Sequence, residues 1–180
     1  LTALMSIFLF AFVIGILTSL FPAFATELGI PAHEIGLIML AFGLTRTIVF
    51  SQAMRIEARF KKAGMFLSSS IIFFISSLLT TEGSTTLLFT VAFAAFGVGA
   101  GASYSASLSF VLREWGLTRG YAAGIFESII GFGYFVGSLA GGTVSEISLQ
   151  APYLLAALVS IVVCFAQLTL SKRSRFKILQ

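Results

Sequence analysis

The stretch Arg55-Ile-Glu-Ala-Arg59-Phe-Lys61-Lys62 places four basic residues within eight positions, between two long apolar segments. The whole chain is 58% hydrophobic and only 10% charged. A water-soluble domain is usually about one quarter charged, so this composition excludes a soluble fold. In a membrane protein, a short basic loop stays on the cytoplasmic side, because translocating Lys and Arg is unfavourable. The stretch is therefore predicted to be a cytoplasmic loop between two membrane-spanning helices.

The other basic residues follow the same rule. Six apolar segments are each long enough to cross the hydrocarbon core, which takes roughly 20 residues. Of the 11 Lys and Arg residues, only Arg46 falls inside a segment, and all the others follow the second, fourth or sixth segment. The loops after the first, third and fifth segments carry none. We therefore expect a multi-pass protein of the plasma membrane with both chain ends in the cytoplasm.

The chain is predicted to be an all-α membrane protein, a single bundle over residues 1–180 with six transmembrane helices arranged as two inverted three-helix repeats. The first repeat covers 1–83 and the second covers 84–171, followed by a cytoplasmic tail at 172–180. Since three is an odd number, the two repeats cross the membrane in opposite directions. Each repeat ends in its most lipid-compatible helix, and we expect these two helices, the third and the sixth, to tolerate lipid on all sides.

Glycine recurs at every fourth position in parts of the fourth and fifth predicted helices. Small residues at this spacing make a smooth face that another backbone can approach closely. Two interpretations are open: these faces serve helix packing alone, or they also rock against their neighbours during a conformational cycle. The glycines concerned are Gly97, Gly101, Gly133, Gly137, Gly141 and, beside this row, Gly142.

Two ionisable residues, Arg46 and Glu127, lie well inside predicted helices. At a rise of 1.5 Å per residue, each lies roughly 12–13 Å from the nearest basic residue at the cytoplasmic boundary, so their depths match. An uncompensated charge there costs about 3 kcal/mol or more, so the two side chains should face each other or share a hydrated cavity. Three interpretations stay open: a structural salt bridge, a substrate or proton-coupling site, and a cytoplasmic gate contact to another part of the protein. Tyr104 and Ser105 are further candidates for lining such a cavity.

Two motifs carry a resemblance to a known family. The segment Gly133-Tyr-Phe-Val-Gly-Ser-Leu-Ala-Gly-Gly142 resembles the fifth-helix pattern G-x-x-x-G-P-x-x-G-G of major facilitator superfamily transporters, with Ser138 at the proline position. The basic stretch quoted above resembles the loop after that family's second helix, although Ala58 stands at the position of its acid. The basic residues of this loop motif are Arg55, Arg59, Lys61 and Lys62.

The resemblance implies half of a secondary active transporter, which moves a small solute across the membrane by alternating access, with proton coupling as an option. The eroded loop motif, the basic tail, a fourth helix without arginine and a first residue that is Leu1 rather than Met indicate the carboxy-terminal half, spans seven to twelve of a longer protein. The implied partners are the lipid bilayer, the other six-helix half and a small-molecule substrate. The alternative is a membrane domain or subunit of another transport or channel assembly, in which Arg46 and Glu127 are purely structural.

Other classes are disfavoured by residue types that the sequence lacks. It contains no Asp, its single histidine, His33, lies in a predicted external turn, and its only cysteine, Cys164, lies in the sixth predicted helix. The catalytic and metal-ligating sets of intramembrane proteases are therefore missing, and we expect no enzyme, no metal site and no cofactor. The basic residues lie where membrane insertion places them, so the net charge of +4 predicts no nucleic-acid partner.

The predicted topology can be tested by cysteine labelling in intact cells, with Cys164 replaced by serine. A cysteine introduced at 81–84 or 145–150 should react with a membrane-impermeant maleimide added outside, because these turns carry no Lys or Arg. A cysteine that replaces Ala58 should react only after the membrane has been permeabilised. Labelling of Ala58→Cys from outside in intact cells would rule out the six-span arrangement.

Overall fold

Six long helices make up the structure, and the predicted all-α, six-helix architecture is confirmed. The computed structural model describes residues 2–53, 55, 62–114 and 118–176, without the side chains at 62–63, 114, 119 and 171–176. Within these ranges each helix contains a stretch long and apolar enough to cross a membrane, and no strand occurs. The helices are α1 (Thr2–Glu27), α2 (Ala32–Ser51), α3 (Lys62–Thr81), α4 (Thr86–Glu114), α5 (Arg119–Ser145) and α6 (Ala151–Phe176).

The turn between α1 and α2 shows how the local sequence ends one helix and starts the next. Gly29 adopts a φ of 77°, in the left-handed region that glycine tolerates best. Its N–H donates to the carbonyl of Thr26, and the N–H of Ile30 donates to the carbonyl of Ala25, which is the Schellman pattern of a helix end. Pro31 follows in an extended conformation and has no N–H to leave unpaired at the start of α2. The chain thereby reverses direction within a few residues.

Two helix pairs form the framework of the bundle: α1 packs along α5, and α2 packs along α4. In two inverted three-helix repeats, α1 corresponds to α4 and α2 corresponds to α5, so the α1–α5 pair corresponds to the α4–α2 pair. The third helix packs against both α4 and α6, and α1 is the most deeply buried of the six. The repeat boundaries at 83 and 171 stay a prediction.

Glycine brings the two helices of each pair into close contact. A Cβ on Gly101 would lie 2.8 Å from the carbonyl oxygen of Arg46 in α2, and a Cβ on Gly133 would lie 2.8 Å from the Cβ of Ala11 in α1. Both distances are shorter than real Cβ contacts, so these positions admit no larger residue without a shift. A role of these faces in rocking stays a prediction. The glycines in the two contacts are Gly97, Gly101, Gly133, Gly137 and Gly141.

Aromatic rings fill the core between the carboxyl end of α1 and the amino ends of α4 and α6. The ring centres of Phe21 and Phe93 are 4.1 Å apart, and those of Phe21 and Phe89 are 5.3 Å apart. Phe24 joins this group to Tyr153 of α6 at 5.2 Å. This end of the core is closed by packed rings, so a polar site must lie further along the bundle.

The expectation that α3 and α6 tolerate lipid on all sides is wrong, because each helix buries one face. Ser70 of α3 donates to Oε1 of Gln167 in α6 at 3.1 Å, and both side chains are buried. Serine is small and can bond a carbonyl in its own helix, as Ser69 does with Met65, so helices can pack closely on it. Further serines buried on α3 are Ser76 and Ser77.

Gly137→Ala should lower the thermal stability of the protein, because a Cβ there would collide with the backbone of Phe12 in α1. Overpacking of this kind costs about 1–3 kcal/mol. Gly142→Ala is the matched control on the same helix, since a Cβ there meets nothing within 4 Å. Alanine should stabilise that position by up to about 1 kcal/mol through its helix propensity. Melting temperatures of the purified variants measure the difference, and equal values would contradict the α1–α5 contact.

Candidate functional site

Arg46 lies half-buried on α2, beside two aromatic rings. Its Cζ is 5.4 Å from the ring centre of Phe10 in α1 and 5.8 Å from that of Tyr104 in α4. A guanidinium over an aromatic face is attracted by the ring quadrupole, by about 0.5–2 kcal/mol. Among the described residues, the Arg46 side chain makes no hydrogen bond and no ion pair. The rings therefore hold the cation while its N–H donors stay without a protein acceptor.

The rotation of α2 that turns Arg46 towards these rings depends on its neighbour Thr45. The Thr45 hydroxyl lies 2.9 Å from the carbonyl oxygen of Ala94 in α4, and equally far from that of Ala41 in its own helix. Successive residues of an α-helix are about 100° apart around the axis. With Thr45 held against α4, Arg46 projects to the adjacent side of α2, where it meets α1.

Tyr104 on α4 joins the parts of the site. Its hydroxyl donates to Oε1 of Glu127 on α5 at 3.1 Å. Its ring packs edge-on against the rings of Phe10, Phe50 and Phe126, with ring centres 5.8, 5.6 and 5.4 Å away. These contacts fix the ring between the guanidinium described above and the Glu127 carboxylate.

Arg46 and Glu127 do not form the structural salt bridge that was one interpretation of the sequence. In the described part of the chain, the one acid–base contact within 4.0 Å is between His33 and Glu34 in the first turn of α2, and it is an ion pair only when His33 is protonated. Moreover, α2 and α5 are not among the helix pairs that pack extensively on each other. The two charges instead share their surroundings and are linked through Tyr104.

Two cavities open around these residues and have Arg46 and Tyr104 in common; together they are called the Arg46 cavity. Their walls are mostly aromatic and aliphatic, with few converging polar groups, as is typical of small-molecule sites. The first, of about 240 Å³, is lined by Phe10, Ala11, Ile14, Arg46, Tyr104, Glu127, Ile130 and Tyr134. The second, of about 370 Å³, is lined by Gly43, Arg46, Thr47, Phe50 and Tyr104.

A larger cavity of about 580 Å³ lies between α1, α5 and α6, away from the charged groups. Its lining is apolar apart from Ser128 and includes Phe8, Phe132 and Val163. An apolar groove on the flank of a membrane bundle offers no group that could orient a polar solute, and lipid tails suit it equally well. We therefore assign the candidate site to the Arg46 cavity in spite of its smaller volume.

Ser105, the other predicted cavity residue on α4, lies apart from this site. It is buried, and its hydroxyl donates to the carbonyl of Ala102 in its own helix at 3.2 Å. It lines a different cavity, which also contains Arg113. Because Ser105 follows Tyr104 directly, the turn of the helix carries it away from the Arg46 cavity.

The predicted basic loop motif is described only in part. Arg55 is exposed to solvent, as a cytoplasmic loop residue should be. Lys62 is the first residue of α3, and its side chain is not described. Arg59 and Lys61 lie outside the described residues.

A polar seam between α1 and α5 was missed by reasoning from the sequence. The hydroxyls of Thr18 and Tyr134 are hydrogen-bonded, and those of Ser19 and Ser138 lie 2.9 Å apart. Ser138 also donates to the carbonyl of Gly15 at 3.2 Å. The available signal was the adjacent pair of hydroxyls at Thr18 and Ser19 in a largely apolar helix. A proline at position 138 could not make these bonds. The serine that replaces the proline of the motif therefore adds hydrogen bonds between α1 and α5.

Six helices long and apolar enough to cross a membrane define the class as a polytopic membrane protein, and four of them line a charged, aromatic-walled cavity. The profile of the Major Facilitator Superfamily matches residues 3–178, so the chain belongs to that family. Its members are membrane transporters and not enzymes. The resemblance of the two sequence motifs is thereby confirmed at the level of the family. No curated protein matches the sequence.

The arrangement predicts that Tyr104 and Glu127 have a larger coupling energy in unfolding than Arg46 and Glu127. Tyr104→Phe and Glu127→Gln alter opposite ends of one hydrogen bond, so their effects on the free energy of unfolding should be non-additive by about 1 kcal/mol. Arg46→Gln and Glu127→Gln alter no common bond and should be coupled more weakly. Unfolding of the purified single and double variants in detergent measures both couplings. A stronger coupling of Arg46 than of Tyr104 to Glu127 would point to a direct ion pair.

Proposed function

We propose that the Arg46 cavity lies on the path along which this transporter moves a small solute by alternating access. The observation that carries the proposal is the meeting of a cation, a carboxylate and a tyrosine hydroxyl in one aromatic-walled cavity at matching depth in the bundle. Charged side chains inside a membrane are costly, and their usual place is a substrate or ion pathway. Because the chain belongs to a family of transporters, a role in transport agrees with the presence of these groups.

Support for a second six-helix half comes from α2 and α5, the two helices with the fewest buried residues. Glu127 on α5 is exposed on the bundle surface, and Arg46 is only half-buried. A charge facing lipid at this depth costs about 3 kcal/mol or more, so this surface must meet water or protein. A second bundle against α2 and α5 would enclose the cavity, and rocking of the two bundles would open it to each side in turn.

On this proposal the chain supplies the carboxy-terminal half of the transporter, in the plasma membrane. The start of α1 and the end of α6 lie on the cytoplasmic side, because the basic residues gather beyond the even-numbered helices. The Arg46 cavity then lies towards the cytoplasmic part of the bundle, and the closed aromatic core lies towards the outside.

Within the cavity, Arg46 binds the solute and Glu127 carries a proton. A deprotonated Glu127 accepts a hydrogen bond from Tyr104. A protonated carboxyl is neutral and becomes a donor itself, so its bond with Tyr104 is weaker. Protonation would therefore weaken the hydrogen bond of the Tyr104 hydroxyl, which belongs to the same side chain whose ring lies beside the guanidinium. Binding of a proton to Glu127 would change the affinity for the solute through Tyr104. By thermodynamic linkage, binding of the solute would change the affinity for the proton by the same factor.

The alternative is a subunit of another transport or channel assembly in which Arg46 and Glu127 only hold helices together. A purely structural pair should neutralise itself, because an uncompensated buried charge is destabilising. The described residues show no such pair, and the α1–α5 and α2–α4 contacts are already made by glycine faces. These observations favour the transport path.

Alternating access predicts that a residue of the cavity is reached from both sides of the membrane. Thr47→Cys, placed in a Cys164→Ser background of the whole transporter, should react with an impermeant maleimide in right-side-out and in inside-out vesicles, because thiols react in water as thiolates. Leu158→Cys on α6 is the control: it is also exposed on the bundle but faces lipid, and it should stay unreactive. Reaction of Thr47→Cys from one side only would contradict the proposal.

Glu127→Gln tests the proton-coupling role within the same proposal. A neutral amide cannot cycle a proton, so this variant should exchange solute across the membrane without accumulating it against a gradient. Uphill uptake or efflux at the wild-type level would remove Glu127 from the coupling mechanism while leaving the access test above unaffected.

A further inference from the structure

We propose that the solute is a monocarboxylate with an apolar body, and that its carboxylate binds the guanidinium of Arg46. The inference rests on the proposed function and specifies the class of solute that the same cavity accepts.

The first argument is the unused hydrogen-bonding capacity of Arg46. A guanidinium has five N–H donors in a planar fork that matches the two oxygens of a carboxylate. The described residues offer these donors no acceptor, and the contacts of Arg46 are with the rings of Phe10 and Tyr104. The nearest carboxylate of the cavity, Glu127, already accepts a hydrogen bond from Tyr104. An oxyanion supplied by the solute would meet the donors that the protein leaves open.

The second argument is the charge balance of the cavity. Among the described residues, its lining contains one cation, Arg46, and one carboxylate, Glu127. The groups that α1 contributes are Phe10, Ala11 and Ile14, which carry no charge. A monovalent anion on Arg46 neutralises the guanidinium and leaves Glu127 to be neutralised by a proton. A dianion would add a second negative charge for which the described lining offers no cation, and a cationic solute would be repelled by the guanidinium of Arg46.

The third argument is the apolar character of the walls. Beyond the charged groups and the hydroxyls of its threonine and tyrosines, the cavity presents the ring of Phe50 on one side and the side chains of Ile14 and Ile130 on the other. A strongly hydrated solute such as a sugar would leave hydroxyls without partners against these surfaces. A small apolar or aromatic body attached to the carboxylate would instead bury apolar surface there.

Benzoate is the probe for this proposal, with three analogues of nearly the same shape: benzamide is neutral, benzamidine is a cation and phenyl phosphate is largely a dianion. The purified whole transporter is heated in detergent with each compound at equal concentration. A ligand that binds the native state raises the melting temperature. We expect benzoate to raise it in a concentration-dependent manner, and the other three to raise it less.

Arg46→Lys keeps the positive charge but removes the fork, so the concentration of benzoate needed for half-maximal stabilisation should rise by about tenfold or more. Arg113→Lys makes the same chemical change at an exposed arginine of α4 outside the Arg46 cavity and should leave this concentration unchanged. The comparison of the four ligands uses the wild-type protein, so it holds even if an Arg46 variant fails to fold.

Stabilisation by benzamide, benzamidine or phenyl phosphate that equals or exceeds that by benzoate would overturn the proposal, and so would no stabilisation by benzoate. The Thr47→Cys labelling assay separates this failure from failure of the proposed function. Protection of the Thr47→Cys variant from labelling by benzamidine and not by benzoate would keep the transport path and overturn the carboxylate. Stabilisation by benzoate together with labelling of Thr47→Cys from one side only would support anion binding and overturn alternating access.

Discussion

An ionised side chain in the hydrocarbon core of a membrane must meet water or a polar partner, and this requirement organises the functional part of the bundle. A direct pair between Arg46 and Glu127 would satisfy both charges at once and close the cavity. The protein keeps them apart: ring faces hold the guanidinium, and a tyrosine hydroxyl serves the carboxylate. Each charge is thus partly stabilised by the protein and retains capacity for a further partner. This division makes the two charges a candidate site instead of a closed salt bridge.

Close packing of backbones supplies the framework on which that site is built. Lipid tails are as apolar as leucine, so burial of apolar surface does little to hold helices together within a membrane. Glycine at positions such as Gly101 and Gly133 lets the helix axes approach and increases the van der Waals contact along each pair. Hydroxyl bonds add directional contacts at the same interfaces, as between Thr45 and Ala94. The framework therefore depends on small residues and leaves the large aromatic rings to shape the core and the cavity.

The helices and their number could be predicted from the sequence, because span length and the placement of Lys and Arg follow from the physics of the bilayer. That Arg46 and Glu127 line one cavity could also be expected, since they lie at similar distances along their helices from the basic residues that follow or precede them. The residues that contact Arg46 and Glu127 could not be predicted, because these contacts depend on how each helix is rotated about its axis. Tyr104 enters the cavity and Ser105 does not, although the two residues are adjacent. For the same reason the buried serines of α3 could not be told from lipid-facing ones by their apolar surroundings.

The site draws its parts from both helix pairs: Arg46 and Tyr104 belong to the α2–α4 pair, and Phe10 and Glu127 belong to the α1–α5 pair. A displacement of one pair against the other would change the Tyr104–Glu127 hydrogen bond and the distance from Arg46 to the Phe10 ring at the same moment. Both interactions weaken quickly when their geometry is disturbed. Conversely, any molecule in the cavity touches both pairs and so fixes their relative position. If the two pairs move against each other, occupancy of this pocket and the shape of the bundle would be coupled directly.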